Sequence, residues 1–119
     1  MKEHPSLMKR PIKFRAWDSA LKMMVNDVHA NGPYFSFSVY LKDKDMIVEQ
    51  FTGLHDKNGR EIYEGDILRW NGMICPITVE TFHGMRFMWG LDCLCQAYAI
   101  TGEVIGNVHE NPELLGIES

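Results

Sequence analysis

The sequence is short of most features that advertise a function. It has three cysteines in 119 residues, Cys75, Cys93 and Cys95. Three cannot all pair, and the Cys93-x-Cys95 spacing is too tight for an easy disulfide, so a disulfide-stapled scaffold is excluded. No stretch approaches the ~20 apolar residues of a membrane span, and the first residues hold no apolar run of signal-peptide length. With eight methionines and an odd cysteine count, the expected setting is a reducing cytoplasm. Twelve basic against sixteen acidic side chains leave a net charge of −4, the wrong sign for a nonspecific cationic coat on nucleic acid.

The chemical motifs are also missing. The five histidines (4, 29, 55, 83, 109) include no pair at i, i+4, and the cysteines include no C-x-x-C, so neither a metal site nor a cofactor is expected. There is no glycine-framed serine, no phosphate loop and no dinucleotide fingerprint. Asp56-Lys57-Asn58-Gly59 begins like a calcium loop, but its glycine comes at position four and no glutamate stands at position twelve.

What is present is enough apolar material for a core. Leu, Ile, Val and Phe make up about a quarter of the chain, above the ~20% below which chains tend to stay disordered. The length suits one domain. The dominant pattern is short β-type runs separated by turn residues. In Ile12-Lys13-Phe14-Arg15-Ala16-Trp17, period two places Ile12, Phe14 and Ala16 on one face and Lys13, Arg15 and Trp17 on the other. Strands are predicted at 22–29, 35–41 and 46–52, with a helix over 36–50 as the competing assignment. Asn58-Gly59 and Asn71-Gly72 predict tight turns, the second joining strands 67–70 and 73–82 in the strongest hairpin signal of the chain. Pro76 inside that last run predicts an edge or a bulge, because it cannot donate to a ladder. Residues 91–100 read as either strand or short helix, 103–108 as strand. Asn111-Pro112-Glu113 reads as an N-cap and the first turn of a short C-terminal helix. The fold expected is mainly β (α+β): a small twisted antiparallel sheet or barrel of short strands with one terminal helical turn.

Two clusters of chemistry-bearing residues stand out. Lys13, Arg15 and Trp17 form a basic and aromatic strand face of the kind that binds single-stranded nucleic acid; the same pattern also suits an edge strand carrying lysine for solubility. Glu61, Glu64 and Asp66 could do acid–base work, or hold a metal with a histidine as a small hydrolase would. They fit an exposed hairpin arm equally well. The three cysteines read as small apolar residues, and Trp17, Trp70 and Trp89 as core or sheet-face aromatics.

Three segments carry a family likeness. They are Ile12-Lys13-Phe14-Arg15-Ala16-Trp17-Asp18, the long Gln50-Phe51-Thr52-Gly53-Leu54-His55-Asp56-Lys57-Asn58-Gly59-Arg60-Glu61-Ile62-Tyr63-Glu64-Gly65-Asp66-Ile67, and Val104-Ile105-Gly106-Asn107-Val108-His109-Glu110-Asn111-Pro112-Glu113-Leu114-Leu115. In this order they resemble the YopX family, small proteins of bacterial phages and prophages. The resemblance implies a self-contained β-rich domain over 12–119 behind an extension of residues 1–11, in the cytoplasm of a bacterial host. It brings no catalytic residues or cofactor with it. The function expected is therefore a non-enzymatic accessory module that binds a host or phage macromolecule, with homo-oligomerisation as one way to cover its strand edges and no membrane partner. The alternative is a nucleic-acid-binding protein using Lys13, Arg15 and Trp17.

Overall fold

The computed structural model describes residues 12–28, 42–82 and 84–116, and the elements described in full among them are nine strands, one short helix and a terminal 3-10 turn. The predicted strand at 35–41 and the extension at 1–11 lie outside these residues. Strands β1 (Phe14–Asp18), β2 (Met23–Val28), β3 (Met46–His55) and β4 (Glu61–Tyr63) form one antiparallel sheet in the order β2-β1-β3-β4. Strands β5 (Asp66–Trp70), β6 (Met73–Glu80), β7 (Arg86–Trp89), β8 (Asp92–Cys93) and β9 (Glu103–Asn107) form a second, in the order β8-β7-β6-β5-β9. The mainly β expectation holds, as two sheets rather than one.

The turns follow the local chemistry. Between β5 and β6, Asn71 and Gly72 both take positive φ, 50° and 82°, as a two-residue hairpin of the favoured hand requires. At the start of the first sheet, Asp18 Oδ1 accepts from the backbone N–H groups of Ala20 and Leu21, each at 3.0 Å, and so closes the β1–β2 turn. Pro76 sits at a locally open edge, as expected. Strand β6 lies between β5 and β7, but residues 73–76 pair with β5 while 77–80 pair with β7. Pro76 stands where the second partner has not yet begun, so no ladder bond to β7 is forfeited.

Residues 91–100 divide. After the two-residue β8, Gln96–Thr101 form α1. Its Ala99 and Tyr98 face inward and Ile100 faces out. The core beneath α1 consists of Ile62, Leu68, Ile77, Phe87, Trp89, Ala99 and Val104. Trp70, Trp89 and Tyr98 meet there edge to face or tilted, with centroids 4.7–6.0 Å apart, and the Trp89 indole donates to the Leu68 carbonyl at 2.9 Å. The terminal turn, Pro112–Leu115, is a 3-10 helix with proline in its first turn. Asn111 precedes it but does not cap it: its Oδ1 instead accepts from Asn107 N at 3.2 Å.

Asp56 joins the sheets. Its Oδ1 accepts from Asn58 N and Arg60 N, and its Oδ2 accepts from Val104 N on β9 at 2.9 Å. Burial works against the charge of Asp56, but these three N–H groups and the Arg60 guanidinium outweigh it and hold the carboxyl below its usual range. A carboxyl depressed by folding stabilises the native state above the unfolded pKa of about 4, and loses that contribution as pH falls through the lower folded value. Asp56→Asn should therefore cost about 1–3 kcal/mol at neutral pH by urea denaturation, with the deficit shrinking toward acid. A deficit that stays constant down to the acid limb would contradict this.

Candidate functional site

The densest polar chemistry lies where the two sheets meet. Arg15, the second residue of β1, pairs across the ladder with Glu49 of β3, and its Nε donates to Glu49 Oε1 at 3.0 Å. Its Nη1 is 2.9 Å from Oδ1 of Asp66, at the start of β5, and its Nη2 donates to the Glu64 carbonyl at 3.2 Å. The guanidinium carbon lies 4.8 Å from the centroid of the Tyr63 ring. On the far side of Glu49, Oε2 is 2.7 Å from Nε2 of His109. The His109 ring in turn stacks on Trp17, with centroids 5.2 Å apart and planes 9° from parallel.

Local structure places each member. Period two turns Arg15 and Trp17 to the same side of β1, and the β1–β3 register sets Glu49 opposite Arg15. The β4–β5 turn brings Asp66 down onto them. Within that turn Gly65 has φ 89°, and a Cβ there would stand 2.1 Å from Glu49 Oε2; only glycine lets the backbone lie against the carboxylate. Asn107 shapes the turn carrying His109, its Oδ1 accepting from the N–H groups of His109 and Glu110.

The cluster is closed to solvent. Side-chain exposure is 6% for Arg15, 5% for Glu49, 1% for Asp66 and 13% for His109. Burial pushes the Asp66 carboxyl up against the opposing charge of Arg15 and the N–H of Tyr63, which donates to Oδ2 at 2.7 Å. Oδ1 is close to Nη1 without an aligned hydrogen bond. Burial likewise raises Glu64, and the nearby charge of Glu49 adds to it. Every side of the Arg15 guanidinium is taken, so the cluster serves as an ionic lock between sheets. Among the described residues no three His, Cys, Asp or Glu side chains gather as a metal site.

The candidate residues read from the sequence are redistributed accordingly. Lys13, Arg15 and Trp17 do share a face, but that face is turned inward: Arg15 and Trp17 are buried, and one face of the Trp17 indole is covered by His109. The strand carrying them is internal, with β2 and β3 on either side, so it is not a solubilising edge either. Lys13 alone of the three reaches the surface, where it lies over the Phe51 ring and pairs with Glu61. That hydrogen bond with Lys13 is the chief reason the Glu61 carboxyl is lowered. Glu61, Glu64 and Asp66 do not form one exposed arm. Glu61 goes to Lys13 and Tyr63, while Asp66 is fully buried with Arg15. Glu49 and His109 were not singled out by sequence reasoning. The only signal for them was that one precedes the central segment and the other lies within the last.

The three sequence segments thus converge on one lock, and comparison with known proteins gives the likeness its extent. The family model described as "YopX protein" matches residues 32–116. The chain belongs to the YopX family. The match takes in Glu49, Asp66 and His109, while Arg15 and Trp17 lie ahead of it. Among solved structures, the crystal structure of protein EF1440 from Enterococcus faecalis is similar, with a TM-score of 0.62 and 31% identity over 88% of this chain and 98% of that one. No curated protein matches. Among the described residues of this YopX protein, no helix is long and apolar enough to cross a membrane.

Proposed function

We propose that this YopX protein is a non-enzymatic accessory module of a phage or prophage, and that it holds a protein partner in the bacterial host through one end of its second sheet. The observation that carries the reading is a group of apolar side chains left in water. Leu91, in the β7–β8 turn, is 99% exposed, and Met73 and Ile74, beside the β5–β6 turn, are substantially exposed. The β7–β8 turn lies against β6 three residues past the β5–β6 turn, since a Cβ on Gly90 would come 3.1 Å from Cys75 Sγ. Large apolar side chains left exposed at one end of a sheet are a usual mark of a contact surface. The concentrated charge, by contrast, is spent inside the molecule on Arg15.

The test is capture from a lysate of phage-infected bacteria by the immobilised full chain, with and without nuclease. The wild type should retain a protein that survives nuclease. The double variant Ile74→Asp, Leu91→Asp should lose it by about tenfold or more while melting like the wild type. Equal retention by the folded variant, or loss of the captured material on nuclease treatment, would overturn the proposal. In the latter case nucleic acid would be the partner.

A further inference from the structure

Two Asn-Gly pairs in the described residues, Asn58-Gly59 and Asn71-Gly72, are both exposed turns, yet their backbones are held very differently. At the first, Gly59 N–H donates to the Asp56 carbonyl at 2.9 Å, and Asn58 N–H donates to Asp56 Oδ1 at 2.8 Å. The chain on either side is pinned as well, by Arg60 N to Asp56 Oδ1 and by Asp56 N to the Arg60 carbonyl. At the second, Asn71 and Gly72 form the bare tip of the β5–β6 hairpin, both at positive φ. Among the described residues no partner holds the Gly72 N–H, and a Cβ on Gly72 would meet nothing within 4 Å.

That difference decides which pair can modify itself. We propose that Asn71 is a site of spontaneous deamidation, converting to aspartate and isoaspartate, and that Asn58 is protected by the turn around Asp56. The Gly72 amide nitrogen, losing its proton to solvent base, attacks Cγ of Asn71. The new N–Cγ bond closes a five-membered succinimide, the Cγ–Nδ2 bond breaks, and the side-chain nitrogen leaves as ammonia. Water then opens the ring at either carbonyl, so the net exchange is an amide and water for an acid and ammonia. Glycine at the second position leaves this attack unhindered by a side chain. At Asn58 the same nitrogen is engaged with the Asp56 carbonyl, and reaching Cγ would first require breaking that bond.

The product changes the hairpin. Aspartate adds a negative charge at the tip between Trp70 and Met73. Isoaspartate adds a methylene to the main chain, which a two-residue turn in the Trp70↔Met73 register has no room for.

The experiment ages the purified full chain in mildly alkaline buffer at physiological temperature and follows each Asn-Gly peptide by mass spectrometry for the amide-to-acid mass increment. Asn31-Gly32, outside the described residues, is read as a separate peptide. In the folded protein, Asn71 should convert several-fold faster than Asn58. In concentrated urea the two should react at similar rates, because the fold alone distinguishes them. Asn71→Gln should abolish the fast component. Equal rates at Asn58 and Asn71 in the folded protein, a persistent difference in urea, or a fast component surviving Asn71→Gln would each overturn the proposal.

Discussion

Replacing Arg15 with methionine should destabilise the protein by about 3–5 kcal/mol, the usual cost of removing one partner from a buried ionic group. The reason lies in what remains. Glu49 and Asp66 are 4% and 0% exposed, and without the guanidinium two carboxylates would face each other with no counter-charge from β1. For a domain whose total stability is expected to be on the order of 5–15 kcal/mol, such a loss is a large fraction. It corresponds to a fall in melting temperature of roughly 15 °C or more, readable by circular dichroism. Arg15→Lys should fall between the two, because an ammonium is a single point of charge and cannot span Glu49, Asp66 and the Glu64 carbonyl at once. Adding Glu49→Gln and Asp66→Asn to Arg15→Met should return part of the stability by removing the stranded charges. A methionine variant melting within a few degrees of wild type would show that water reaches the cluster.

The second large effect belongs to a glycine. Gly65→Ala should cost about 3–5 kcal/mol, combining the ~1–2 kcal/mol of a side chain at positive φ with the eviction of Glu49 from its bonds. A glutamate at the surface would swing aside, but Glu49 is gripped by Arg15 at one oxygen and by His109 at the other. Gly59→Ala is the matched control. Gly59 also has positive φ, 81°, but a Cβ there would meet nothing within 4 Å, so only the backbone term of ~1–2 kcal/mol applies. Urea titrations of the two variants, at equal m-values, should differ by about 2 kcal/mol or more. Equal losses would mean that the Glu49 carboxylate gives way freely.

What the sequence revealed and what it hid divide along a physical line. Asn71-Gly72 announced its hairpin because positive φ is a local demand that few residues meet. The same is true of the turn at Asp56, whose carboxylate binds N–H groups two and four residues on. Period two correctly grouped Lys13, Arg15 and Trp17, since alternation is a property of the strand itself. Which face of the sheet is covered is not: it depends on where β5 and the His109 turn come to rest, and no local pattern encodes that. Buried charge compounds the difficulty, because Arg15, Glu49 and Asp66 each look like surface residues until their partners are known. The helix at Gln96–Thr101 was ambiguous for a different reason. Six residues are under two turns, too few for a 3.6-residue period to stand out from an alternating one.

The ionic lock also dictates an order of events in time. Arg15 reaches Glu49 across 34 positions and the Glu64 carbonyl across 49, and Glu49 reaches His109 across 60. Contacts so distant along the chain carry a loop-closure cost before they return any energy, which makes this a topology of slow rather than rapid folding. During synthesis, β1 leaves the ribosome ahead of its counter-charges, and the last of the chain of contacts, His109, comes more than ninety residues after Arg15. Until then the nascent chain holds Glu49 without its imidazole partner and Trp17 without the ring that stacks on it. The complete lock therefore closes only after residues 15 to 109 are all available.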